Sequence, residues 1–170
     1  MKQSTISAME DIFRKKNHDY NNSAHRSFCR FGPVSLIVRI GDKLERLEGL
    51  TRSQCSSQVA ESTADTALDA ANYLVMLAGE LLWGQGLERE VLLADQEDGG
   101  NIPVTLSLFP MLASLPPDKS APAPRSRLQD IYNAINERDT DKAISLSMAL
   151  AGHMAHWYES LKEEGKEPNA

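Results

Sequence analysis

Apolar residues recur three and four positions apart over most of the chain, the spacing of one face of an α-helix. Residues 4–17 place Ile6, Met9, Ile12 and Phe13 on one side and predict a first helix, with Ser4 or Thr5 as its cap. Asn17-His18-Asp19-Tyr20-Asn21-Asn22-Ser23 is dense in turn formers and predicts a loop. Gly32-Pro33 sets the next start, with proline in the first turn, and the stripe Leu36, Ile37, Ile40, Leu44 and Leu47 carries that helix to about Leu50. A third helix runs from about Ser57 to Trp83. Ala60, Ala64, Ala67, Leu68, Ala71, Val75 and Ala78 form its apolar stripe, and Gly84-Gln85-Gly86 ends it.

The pattern then changes. Arg89–Asp95 and Ile102–Phe109 are short apolar runs on either side of Gln96-Glu97-Asp98-Gly99-Gly100-Asn101, which predicts a small β-hairpin with Pro103 on its edge or at its first residues. Pro116, Pro117, Pro122 and Pro124 predict an extended linker. Beyond it, residues 125–138 and 140–163 read as two helices joined by a very short turn. One stripe is Leu128, Ile131, Tyr132 and Ile135; the other is Ile144, Met148, Ala151, Ala155 and Tyr158. An αα-hairpin buries little by itself, so it is expected to dock on the first three helices. The expected fold is mostly α: a helical core over 1–83, an inserted hairpin-like segment over 84–115, a proline-rich linker over 116–124, an αα-hairpin over 125–164 and a frayed tail over 165–170.

Composition narrows the class. The 170 residues are 41% hydrophobic with a net charge of −6, which suits a soluble globular protein and argues against a dedicated nucleic-acid surface. No run approaches the ~20 apolar residues of a membrane span. The first residues lack the apolar core of a signal peptide. Cys29 and Cys55 have no paired spacing and read as free thiols in a reducing cytoplasm.

The third predicted helix carries the most chemistry. Glu61, Asp65 and Asp69 climb one side at intervals of four, and Asn72 falls back onto the same side. Such a row can bring carboxylates to a divalent cation, which takes oxygen ligands and keeps waters for a bound phosphate. It is also what an ordinary amphipathic surface helix shows. Like charges four apart repel by roughly 0.2–0.5 kcal/mol per pair. No Lys or Arg lies between Ser53 and Glu88 to relieve them. A bound cation would, and so would a basic residue from another helix.

Arg39, Asp42 and Arg46 share a face of the preceding helix, with Glu45 to one side. They can hold phosphate and add a carboxylate, or form a solvated ladder. Lys15, Lys16, His18, Asp19 and Tyr20 cluster at the end of the first helix, where lysines suit the helix dipole and can also reach a phosphate. Phe28 and Phe31 flank Cys29 and suit packing better than base stacking. His153 and His156 have chelating spacing but no adjacent acid to orient them. Walker, Rossmann, His-Glu-x-x-His and Gly-x-Ser-x-Gly patterns are all missing.

Lys16-Asn17-His18-Asp19-Tyr20, Phe31-Gly32, Val38-Arg39-Ile40-Gly41-Asp42-Lys43 with Arg46, and then Val59, Glu61-Ser62, Asp65-Thr66, Asp69 and Ala71-Asn72-Tyr73 form an ordered string. Over roughly residues 10–80 it resembles the nucleotide-modification-associated domain found in many phage proteins. The family often shows Asp-Tyr-Gly where this chain has Asp19-Tyr20-Asn21, and asparagine tolerates the same left-handed geometry. That domain is in turn similar to the all-α nucleoside triphosphate pyrophosphohydrolases of the MazG and dimeric dUTPase group. Their usual Glu-x-x-Glu and Glu-x-x-Asp elements are altered here to Asp42 with Glu45, and to Glu61-x-x-x-Asp65.

The resemblance implies a protein of phage nucleotide metabolism in the bacterial host's cytoplasm, hydrolysing or binding a (deoxy)nucleoside phosphate with Mg²⁺ or Mn²⁺. Glu61, Asp65 and Asp42 would hold the metal, and Asp69 or Glu45 would accept the proton from water. Lys16, Lys43, Arg39 and Arg46 would offset phosphate charge. His18, Asp19 and Tyr20 would touch the nucleotide, with Asn72 and Tyr73 at the sugar or base. A homodimer or higher oligomer is expected. The alternative is a non-catalytic phage protein that captures a nucleotide or binds a host protein, with residues 84–163 as the partner surface.

Overall fold

The computed structural model describes residues 1–52, 62–85, 101–116 and 124–164. Among them are seven α-helices, one short 3-10 helix and no strand. They are α1 (Gln3–Asp19), α2 (Ser23–Phe31), α3 (Val34–Arg52), α4 (Thr63–Trp83), α5 (Asn101–Leu108), the 3-10 segment Phe109–Ser114, α6 (Pro124–Asn136) and α7 (Thr140–Glu164).

The fold is organised around α4. Its alanine-rich stripe lets neighbours approach closely, and Ala67, Ala70, Ala71, Leu74, Val75, Leu77 and Ala78 are all buried. It packs most extensively on α7, then on α3 and α5. In α3, Leu36, Ile40, Leu44 and Leu47 are buried as their spacing requires. From α1, Ile6, Met9 and Phe13 enter the same core, where the Phe13 ring meets that of Phe109 at a centroid distance of 5.7 Å. α6 and α7 form the expected αα-hairpin, with α7 on α4 and α6 also touching α3. No helix among the described residues is long and apolar enough to cross a membrane.

Two expectations are corrected. Residues 102–109 are not a strand: α5 covers 101–108 and the 3-10 segment continues it. Pro103 falls in the helix's first turn, where its missing N–H costs no hydrogen bond. The other arm of the expected hairpin, 89–95, lies outside the described residues, as do the linker over 117–123, Cys55, Glu61 and the tail. The second correction is α2, in a stretch where the apolar pattern predicted no helix. Ala24, His25, Phe28 and Cys29 form its buried face.

The expected loop shrinks to Tyr20, Asn21 and Asn22. Both asparagines are left-handed, with φ of 48° and 51°.

Candidate functional site

α4 starts with a reciprocal cap. The Asp65 N–H donates to Ser62 Oγ at 3.0 Å, while the Ser62 N–H and hydroxyl donate to Asp65 Oδ2 at 3.2 and 2.7 Å. The hydrogen bonds from Ser62 hold the Asp65 carboxyl below the usual range. One turn on, Asp69 receives two cations from other helices. Lys16 Nζ of α1 lies 2.5 Å from its Oδ1, and Lys43 Nζ of α3 lies 3.1 Å from its Oδ2. Asp69 of the acid row is therefore met by lysines from neighbouring helices. Lys16, Lys43, Asp65, Asp69, Ile12 and Leu68 line a cleft of ≈ 390 Å³.

A second, narrower cleft of ≈ 50 Å³ adjoins it and shares Ile12, Lys16 and Asp69. Its walls add Phe13, Asn17, Tyr20, Arg39, Tyr73, Met76 and the first two residues of α2, Ser23 and Ala24. A helix start favours negative charge. The Arg39 guanidinium lies 5.9 Å from the centre of the Tyr73 ring, within reach of a cation–π contact. Asn72 also lines this cleft. It is only 6% exposed, and neither its Oδ1 nor its Nδ2 has a hydrogen-bond partner. Leaving such a group unpaired costs roughly 1–3 kcal/mol, a cost that a ligand with a complementary donor and acceptor removes.

The structure thus gathers Lys16, Tyr20, Arg39, Lys43, Asp65, Asp69, Asn72 and Tyr73 along one groove between α1, α3 and α4. Other candidates stand apart from both clefts. Asp42 is exposed. Glu45 is ion-paired to Arg125 of α6. His18 and Asp19 are highly exposed and face each other at 3.3 Å. Arg46 is half-buried. His156 pairs with Glu159 of its own helix at 3.3 Å.

Among the described residues no three His, Cys, Asp or Glu side chains gather, and the two acids in the groove are engaged by Ser62 and by two lysines.

Sequence reasoning missed a buried polar chain behind the groove. His25 Nδ1 lies 2.8 Å from Glu80 Oε2, with both side chains essentially fully buried. Asn101 Nδ2 donates to Glu80 Oε1 at 2.6 Å, and Asn22 Nδ2 donates to Asn101 Oδ1 at 3.1 Å. The Trp83 ring meets the imidazole edge-on at 5.0 Å. Burial pushes the Glu80 carboxyl up, opposed by the His25 and Asn101 contacts. The only sequence signal was an acid inside an otherwise apolar stretch, Leu77–Leu82.

No protein-family model matches the chain, and neither a curated protein nor a solved structure does.

Proposed function

We propose that the groove binds a (deoxy)nucleoside phosphate. The polar edge of the base meets Asn72 in the narrow cleft, beside the Tyr73 ring. The phosphate lies in the wider cleft, within reach of Lys16 and Lys43. The observation that carries this reading is the unpaired, buried amide of Asn72, a residue in the wall of the same groove that two converging lysines and Arg39 line. A planar amide suits a ring that offers a donor beside an acceptor, and lysines suit a phosphate as point charges.

Calorimetry with a panel of nucleosides and nucleoside phosphates tests it. Nucleoside phosphates should bind, and Asn72→Leu should abolish that binding while the fold is kept. A panel in which nothing binds tighter than millimolar would sink the proposal.

Mg²⁺- or Mn²⁺-dependent hydrolysis of the bound nucleotide is a second reading. It is favoured by Asp65 and Asp69 lying one turn apart on the wall of the wider cleft. Both carboxylates would have to leave their present partners, so no chemical step is derived from them. Release of phosphate or pyrophosphate, followed separately with each cation, separates an enzyme from a nucleotide-capturing protein. The resemblance adds a phage context, a cytoplasmic setting and a homodimer or higher oligomer, the last of which light scattering tests.

A further inference from the structure

The Glu80 carboxylate reaches both ends of one helical turn. Its Oε2 lies 2.8 Å from His25 Nδ1, and its Oε1 accepts from Asn101 Nδ2 at 2.6 Å. Asn101 Oδ1 in turn accepts from Asn22 Nδ2 at 3.1 Å. Asn22 caps the start of α2 and His25 stands three positions on, so the two arms bracket the first turn of that helix. The residues between them, Ser23 and Ala24, line the narrow cleft, as does Tyr20 just before the turn. α4 therefore supplies the cleft with Asn72 directly and with the α2 wall through Glu80.

Asn21 and Asn22 are consecutive left-handed residues, a geometry that persists where the surroundings over-determine it. The backbone bonds at the turn are local: the Asn22 N–H donates to the Asn17 carbonyl at 2.9 Å and the Ser23 N–H to that of Tyr20 at 3.1 Å. The chain through Glu80 ties the turn to α4 and α5. His25, Glu80 and Asn101 are all buried, where such bonds are electrostatically stronger than in water.

We propose that Glu80 is a positioning residue of the narrow cleft: one buried carboxylate fixes the first turn of α2, and through it the wall that a bound base meets. This rests on the nucleotide reading above and adds to it a residue that the ligand never touches. The coupling is reciprocal, so a ligand that needs the wall in place also holds the turn closed.

The test reads the turn and the ligand separately, in the full chain. Hydrogen exchange of the Asn22, Ser23 and Arg26 amides, bonded to the Asn17, Tyr20 and Asn22 carbonyls, follows opening of the turn without ligand. Titration with each of the four common deoxynucleoside triphosphates, in a metal chelator, follows binding. Glu80→Ala removes both arms, and Asn101→Ala removes the arm to Asn22. Each should speed exchange at the turn, and weaken binding, by about tenfold. Glu80→Gln keeps an acceptor for Asn101 and offers a donor to the other imidazole tautomer, so both readouts should stay within about threefold of wild type. Leu150→Ala, buried in α7 and outside the cleft walls, is the control for lost stability alone and should also stay within about threefold.

The proposal is overturned if Asn101→Ala leaves exchange at the turn unchanged, if Leu150→Ala speeds it as much, or if exchange quickens while binding stays the same. Glu80→Gln behaving like Glu80→Ala also overturns it. Should Glu80→Ala not fold, Asn101→Ala set against Glu80→Gln decides. If no triphosphate binds the wild type, the nucleotide reading fails by itself, and the exchange rates still decide whether Glu80 holds the wall.

Discussion

Asn72→Leu should make the free protein more stable. The side chain is 6% exposed and both of its polar atoms lack partners. Leucine has similar size and branching and removes the unpaired donor and acceptor together. Relief of one buried, unsatisfied amide is worth about 1–3 kcal/mol. Apolar neighbours such as Phe13 and Met76 give the new methyl groups contacts in place of the lost polar ones. For a chain of this size a kilocalorie moves the midpoint by about 2–4 °C, so the melting temperature should rise by several degrees. Urea unfolding at neutral pH gives the free-energy change directly, provided the slope against denaturant is unchanged. In the same protein, nucleotide binding should vanish. A gain in stability joined to a loss of binding marks a residue kept for a ligand. If Asn72→Leu is destabilising instead, the amide is engaged in the free protein and the reasoning fails.

Glu80→Ala should cost about 3–5 kcal/mol by urea unfolding, because it strands His25 and Asn101 in the core. Burial raises the Glu80 carboxyl pKa, so only between the ordinary glutamate range and the raised value does the folded state hold a proton that the unfolded chain has lost; stability falls as pH climbs through that window, and Glu80→Gln should remove that component. Gly79→Ala would place a methyl group 2.2 Å from Thr105 Oγ1 and 3.0 Å from its Cα, so α4 and α5 must separate; a loss of about 1–3 kcal/mol is expected, and an unchanged melting temperature would refute the close approach. Ser62→Ala should cost about 1 kcal/mol of helix cap. It should also shrink an acid-side loss: Asp65 is depressed in the fold, so its stabilisation is present above the unfolded carboxyl range and disappears as pH falls through the folded value.

The long helices were legible because each repeats an apolar stripe over four or more turns, and burial of Leu36, Ile40, Leu44 and Leu47 follows that stripe. α2 was not legible. It has nine residues, and its buried face includes His25, which reads as polar until Glu80 is seen beside it. Residues 102–109 form an apolar run compatible locally with strand or helix. Packing of Thr105 against Gly79 of α4, a tertiary fact, accompanies the helical outcome.

For the site, the ordered string pointed to Lys16, Arg39, Lys43, Asp69, Asn72 and Tyr73, and these do meet in one groove. Asp42 shares its helix face with Arg39 and Arg46, the pattern a solvated ladder also gives, and it is exposed. What spacing along one helix cannot reveal is a partner from another. The unrelieved charge along the acid row left open a metal or foreign lysines, and at Asp69 two lysines are present.

The prominence of the α4–α7 contact has a consequence during synthesis. α4 ends at Trp83, yet the helix that covers most of it begins at Thr140 and ends at Glu164. At roughly 5–20 residues per second, a ribosome leaves Leu74, Val75, Leu77 and Ala78 waiting several seconds for that cover. During that interval, among the described residues, α1 and α3, and later α5, can shield them. The nascent chain therefore emerges with a largely apolar helix half-clothed, and α7, made long after α4, is the element that covers most of it.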